Sequence, residues 1–177
     1  MKLKQSLALI LLVAPALALA QGKPSDPQIA HIVVTANQID IDAGKIAKSK
    51  SKNKEVQAFA QQMITDHTAV NKQAAGLAKK LGVKPEDNDT SKSLKKGAQE
   101  NVANLKKLSG AAFDKAYVDH EVAYHQAVLD AIDKVLVPSA QNAELKGLIE
   151  KVRPAINTHL EHARHLQAGL GKTAGKK

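Results

Sequence analysis

Residues 56–81 read VQAFAQQMITDHTAVNKQAAGLAKKL. Val56, Phe59, Met63, His67, Val70, Ala74, Leu77 and Leu81 recur in steps of three and four residues, which is the spacing of one helix face. Asn53 stands where an N-cap belongs, and Gly82 can take the left-handed turn that ends a helix. One member of the apolar stripe, His67, is polar.

The same seam recurs on both sides of this segment. Val118, Val122, His125, Leu129, Ile132 and Leu136 make it between about Ala111 and Val137. Leu145, Leu148, Val152, Ile156, His159, Ala163, Leu166 and Leu170 make it in the last helix, which the sequence starts after a cap at Pro138-Ser139 and ends at Leu170. A looser stripe of Ile29, Val33, Ala36, Asp40, Ala43 and Ala47 lies in a first helix that Asp26 caps, with Pro27 in its first turn, and that runs to about Lys50. The seams are those of an antiparallel bundle. Between the second and fourth helices lie about 28 residues, far more than a usual helix–helix link. A short extra helix, capped by Thr90 or Ser91 and ending at Leu108, fits inside that connection. A crossover of this length lets the fourth helix start at the same end as the second. The expectation is an all-α, ferritin-like four-helix bundle with a long crossover.

Composition agrees. The 177 residues include 29 Ala and 24 Lys, but no Cys, no Trp and only four aromatic side chains. Without cysteine, disulfides, thiolate metal sites, iron–sulfur clusters and attached c-type haem are excluded. Too few aromatics remain to stack nucleic-acid bases, only two arginines are present, and no binding motif appears. No P-loop and no G-x-S-x-G occurs, and the spacing specifies no catalytic constellation.

Residues 1–20 read as a secretory signal: Lys2 and Lys4, an apolar run from Leu7 to Leu19, and Ala18-Leu19-Ala20 before cleavage at Ala20/Gln21. Residues 21–25 then form a short tail, 26–170 one domain and 171–177 a flexible basic tail. Removing two lysines takes the net charge from +9 to +7. The address expected is the periplasm or the exterior, and no later segment reads as a membrane span or a barrel strand.

Each long helix carries one polar residue in its stripe: Asp40, His67, His125 and His159. With crossover connectivity, and with side chains leaning toward each helix N-terminus, their depths differ by roughly 3–5 Å at 1.5 Å per residue. They can line one pocket near mid-bundle. His120 and Glu121 lie slightly nearer the top, and Glu121 shares a face with His125 four residues on. Pro154, five residues before His159, removes one backbone hydrogen bond and predicts a kink. His31 and His165 read as surface residues.

Buried imidazole and carboxylate are costly unless paired. Three explanations are open. One is a mononuclear site for a transition metal ion such as Zn, Cu or Fe, with Asp40, His67, His125 and His159 as ligands and His120 and Glu121 behind them. A second is a satisfied polar network, with Asp40 and Glu121 accepting from the imidazoles and Tyr117 or Tyr124 completing it. The third is a solvated pocket holding a small ligand. A di-iron centre would need Glu-x-x-His on two helices, which is missing. Catalysis is not specified, and the balance leans away from an enzyme. Separately, Lys45, Lys48, Lys50, Lys52 and Lys54 surround the first turn and can face an anionic envelope surface. That gives an alternative role as a non-catalytic interaction module.

Four stretches carry a family resemblance: Ile39–Ala47, Val56–His67 with Asn71, Phe113–Tyr117 through His125, and Pro154–His159 with Ala163. In them the chain resembles the bacterial envelope family called domain of unknown function 4142, often labelled a predicted outer-membrane protein. The Phe-Ala-x-x-Met-x-x-Asp-His run ending at His67 is the most specific piece. The family pattern has Glu where Asp40 and Asp42 stand here. The resemblance implies a ferritin-like fold and an envelope address, and no established activity.

Overall fold

The computed structural model describes residues 22–174. The expected signal and its cleavage site fall on residues 1–21, outside the described residues. The helices are α1 (Asp26–Lys50), α2 (Lys54–Leu81), α3 (Asp89–Lys107), α4 (Gly110–Ala131) and α5 (Ala143–Ala174). A π-helical stretch, Ile132–Leu136, and a last turn, Val137–Ser139, prolong α4.

The first turn, at residues 51–53, marks the top of the bundle. Asn53 caps α2 as expected, its side chain accepting from the backbone N–H of Glu55 and Val56, and Gly82 ends that helix at φ 64°. α3 starts at the bottom, where the Asn88 amide donates to the Gln28 carbonyl of α1. It climbs to the top, where the Lys50 ammonium donates to the carbonyls of Leu105 and Lys106. At 19 residues, about 28 Å, it has close to the expected span and is long enough to run the length of the bundle. α4 therefore descends parallel to α2, and α5 climbs parallel to α1: the crossover is present.

Several boundaries differ from expectation. α1 is capped by Ser25 in a capping box with Gln28, not by Asp26. The Asp26 carboxylate instead accepts from the backbone N–H of Gln141 and Asn142 (2.9 Å each), fastening the α4–α5 turn to α1. Asn142, held this way, caps α5 in place of Ser139. α3 is capped by Asn88 rather than Thr90 or Ser91, because Ser91 closes the box from its third position. α5 is helical through Pro154 and on to Ala174, past the end expected at Leu170, since neither Lys172 nor Thr173 stops a helix.

Two apolar clusters fill the bundle. The upper one contains Val56, Phe59, Met63, Leu105, Phe113, Tyr117 and Leu166. The lower one contains Ile29, Ile32, Leu129, Ile132, Leu136, Leu145, Ile149, Ile156 and Leu160. Fully burying side chains of this size contributes about 1.5–3 kcal/mol each. α1 and α2 approach closely because Gly44 has no side chain. A Cβ there would meet the Ala60 carbonyl oxygen at 3.0 Å and Ile64 Cγ1 at 3.1 Å. The carbonyl is backbone and cannot rotate away. Gly44→Val is expected to cost about 1–3 kcal/mol, read as a lower urea midpoint at unchanged slope.

Candidate metal centre

Between the two apolar clusters lies a polar layer. Asp40 of α1 (3 % exposed), His67 of α2 (2 %), Glu121 and His125 of α4 (0 and 1 %) and His159 of α5 (2 %) are all buried in it. The depth estimated from residue counting is met. The centroids of the His67, His125 and His159 rings stand 5.3–5.7 Å apart, a nearly equilateral triangle.

Each of the three rings is anchored on one side and bare on the other. His67 Nδ1–H donates to Asn37 Oδ1 at 2.7 Å. Asn37 Nδ2 donates to the Val33 carbonyl at 2.8 Å, which turns the amide oxygen toward the ring. His125 Nδ1–H donates to the Glu121 backbone carbonyl at 2.9 Å. His159 Nε2–H donates to Asp66 Oδ2 at 2.9 Å. An acceptor on one side places the ring hydrogen there and leaves a lone pair on the opposite nitrogen. Those opposite nitrogens, His67 Nε2, His125 Nε2 and His159 Nδ1, are buried and have no hydrogen-bond partner. The three histidines bring ligand atoms within 4.8 Å of one another, as do Asp40, Glu121 and His125.

Asp40 Oδ2 lies 3.4 Å from His67 Nε2, and Glu121 Oε2 lies 3.4 Å from His125 Nδ1. Both oxygens of Glu121 lack a partner of hydrogen-bonding geometry, and so do the Tyr117 hydroxyl and His120 Nε2. Each buried polar atom left unpaired costs about 1–3 kcal/mol. So many in one layer argue against the satisfied network as the resting explanation. Tyr124 does not complete such a network either: its hydroxyl donates to the Ala36 carbonyl at 3.2 Å.

Burial sets the charges. It lowers the His67 pKa to about 3, and the neighbouring His125 and His159 push in the same direction. It lowers His125 to about 4, partly offset by the Glu121 carbonyl. His159 is lowered by burial and partly restored by Asp66. Burial raises Asp40 well above the usual carboxylate range, against a smaller lowering by Glu121. Glu121 is raised by burial and by the Asp40 carboxyl beside it. At neutral pH the layer therefore offers three uncharged imidazoles, the form in which histidine ligates metals.

The other candidates are placed differently. His120 stacks on Tyr124 at 5.5 Å, outside the triangle, and burial lowers it to about 4. His162 Nδ1 bonds Gln62 Oε1 at 3.1 Å, and its ring packs edge-on against Phe59. His165 is exposed as expected, but His31 is half-buried, bonded through Nδ1 to Ser91 Oγ at 3.0 Å. Of the five lysines near the first turn, Lys45, Lys48, Lys52 and Lys54 are exposed. Lys50 does not belong to that solvated face: it closes the C-terminal end of α3 and lies 5.4 Å over the Phe113 ring.

Sequence reasoning missed Asn37 and Asp66, which orient His67 and His159. Asn37 carried a weak signal, lying three residues before Asp40 on the same face. Asp66 stood out only as the Asp of the Asp-His pair in the family run, and its role was hidden because its contact is made across to α5. Outer partners of this kind typically matter 10–100-fold for metal affinity. Asn37→Leu or Asp66→Ala is expected to weaken zinc affinity by such a factor, measured by competition with a chromogenic chelator.

No described helix is long and apolar enough to cross a membrane. Residues 12–166 match the model of the family described as domain of unknown function (DUF4142). No curated protein and no solved structure matches the chain.

Proposed function

The chain belongs to the DUF4142 family, and from its polar layer we propose that it is a metal-binding protein. It holds one divalent transition ion through His67, His125 and His159, with Asp40 as fourth ligand and Glu121 beside it. One observation carries this reading: three imidazoles on three helices bring ligand atoms within 4.8 Å of one another, and each has one buried nitrogen without a partner while its other nitrogen is tied to an acceptor. This is how metal-ligating histidines are held. Nitrogen and oxygen donors without sulfur suit Zn, Cu(II) or Fe(II). Bound there, the ion would supply a positive charge that the two buried carboxyls otherwise lack. The role we infer is metal handling or metal-linked protection in the cell envelope. Its support is the leader-like residues 1–20, and the parallel α2–α4 crossover fits the ferritin-like relationship.

The deciding experiment is metal analysis of protein purified from the periplasm, followed by calorimetric titration of the chelator-stripped protein with Zn, Cu(II) and Fe(II). One ion per chain is expected, lost in a His67→Ala/His159→Ala variant that keeps its helical circular dichroism. Failure to bind any of the three ions stoichiometrically would refute the reading.

A further inference from the structure

The two ends of the bundle carry very different charge. Residues 44–60 and 101–116 form the top, around the α1–α2 and α3–α4 turns, and hold eight lysines against two acids. Residues 26–32, 75–95 and 130–149 form the bottom and hold seven lysines against seven acids. Pairing widens the contrast. At the bottom Lys80, Lys92, Lys95 and Lys134 each meet a carboxylate, on Glu144, Asp89, Asp87 and Asp130. At the top the ion pairs engage Lys45 and Lys115. Among the described residues no carboxylate pairs with Lys48, Lys52, Lys54, Lys106 or Lys107, and all five are exposed.

Helix ends account for part of this cluster. α1 and α3 finish at the top, where the partial negative charge of a helix C-terminus favours Lys48, Lys106 and Lys107. Lys52 and Lys54 run against the same rule. They flank the start of α2, whose partial positive charge favours acids, and α4 also starts at the top with no acid in its first turn. Cations gathered against the helix field and against one another do not stabilise the fold, so they point to a partner. The five ammonium groups are spread over α1, α2 and α3. Packed helices lie about 8–10 Å apart, so these charges cover a face rather than converge on one point. A plane of phosphates meets all five, whereas a single small anion meets one or two. We propose that the top of the bundle is a docking face for an anionic phospholipid surface, on whose headgroups the helices stand end-on. None of these lysines belongs to the polar layer, so the proposal is independent of the metal centre.

The test is cosedimentation of the protein purified from the periplasm with vesicles of phosphatidylcholine, alone or with about 30 per cent phosphatidylglycerol. At about 0.05 M salt, binding to the anionic vesicles is expected to be about fiftyfold tighter than to the neutral ones. It is expected to vanish at about 0.5 M salt, where the screening length falls to about 4 Å. Each lysine at such a surface contributes about fivefold, so engagement of even two makes Lys52→Gln/Lys54→Gln/Lys106→Gln/Lys107→Gln about twentyfold weaker or more. Lys79→Gln/Lys80→Gln/Lys84→Gln/Lys92→Gln removes the same charge from the bottom. The length of α2, about 40 Å, separates those positions from the docking face. That exceeds the screening length of about 14 Å at the lower salt, so this variant is expected to stay within about threefold of the unaltered protein. Equal loss in the two variants would show that net charge alone is read and would overturn the proposal. So would binding to neutral vesicles that survives high salt, the mark of an apolar contact. Binding to heparin, a soluble polyanion, with none to vesicles would also overturn it. All eight substitutions are at exposed positions, and the vesicle and salt comparisons use the unaltered protein.

Discussion

Zinc added to the metal-free protein at pH 7 is expected to raise its melting temperature by about 8–16 °C, from a linkage term of about 4 kcal/mol at a thousand times Kd and about 2–4 °C per kcal/mol for a chain of this size. The physical basis is that the folded apo protein keeps bare imidazole nitrogens and two carboxyls out of water. The effect of pH follows from the same groups. Unfolded histidines titrate near 6.5, whereas folded His67 and His125 titrate near about 3 and about 4. Between those limits the unfolded chain binds more protons. Apo stability is therefore lost as pH falls below about 6.5, by up to about 1.4 kcal/mol per pH unit for each such group. Asp40 and Glu121 act in the opposite sense. Their folded pKa values are raised, so their contribution is present at low pH and is lost as pH rises through those values. The apo protein is thus disfavoured on both sides, and the ion relieves the alkaline side. Because folded His67 and His125 do not take up protons until about pH 4, zinc is expected to remain bound down to about pH 5 in equilibrium dialysis. Release already at pH 6.5 would show that ordinary, exposed histidines are the ligands.

The helices and their order were legible because their signals are local and redundant. The α2 stripe, its Asn53 cap and its Gly82 stop agree with one another, and the length of the 82–108 connection leaves a crossover as the simplest route. The convergence of Asp40, His67, His125 and His159 was legible for a related reason: helix rise is fixed, so counting residues from a turn measures depth. What failed depended on contacts between elements. Pro138 was expected to end α4, yet the π-helical stretch before it shifts the hydrogen-bonding pattern and the helix continues through Ser139. Asn142 won the cap of α5 only because Asp26, 116 residues away, holds its N–H. Asn88, Thr90 and Ser91 are all competent caps, and the docking of Asn88 onto Gln28 selects among them. Asn37 and Asp66 are invisible as parts of a site until α1 and α5 are packed against α2. A cavity among α1, α4 and α5 was equally hidden, since aliphatic wall residues such as Val33, Ile132, Val152 and Ile156 are ordinary members of apolar stripes.

Glu121→Leu separates stability from binding most sharply. Glu121 is fully buried, and its carboxyl has the neighbouring Asp40 carboxyl as a side-chain partner but no hydrogen bond of good geometry. A leucine of similar volume removes the desolvation of that group and the repulsion with Asp40. The metal-free variant is expected to gain about 1–3 kcal/mol, the cost of one such orphaned group. Most point substitutions in a core do the reverse. The two candidate roles of the layer then part. If the residue served only packing and a polar network, its replacement would be neutral or harmful and zinc would change nothing. If it stands beside an ion, the variant is more stable when empty but gains less from zinc, because one negative neighbour of the ion is gone. Melting curves of both proteins, with and without zinc, measure the two differences at once. The expected pattern is a higher apo midpoint and a smaller zinc shift in the variant. Glu121→Gln keeps the volume and removes the charge without restoring an apolar surface, so it should lose zinc stabilisation without gaining apo stability. An apo midpoint lowered by Glu121→Leu would mean that this carboxyl is satisfied in the resting protein and that the polar layer is structural.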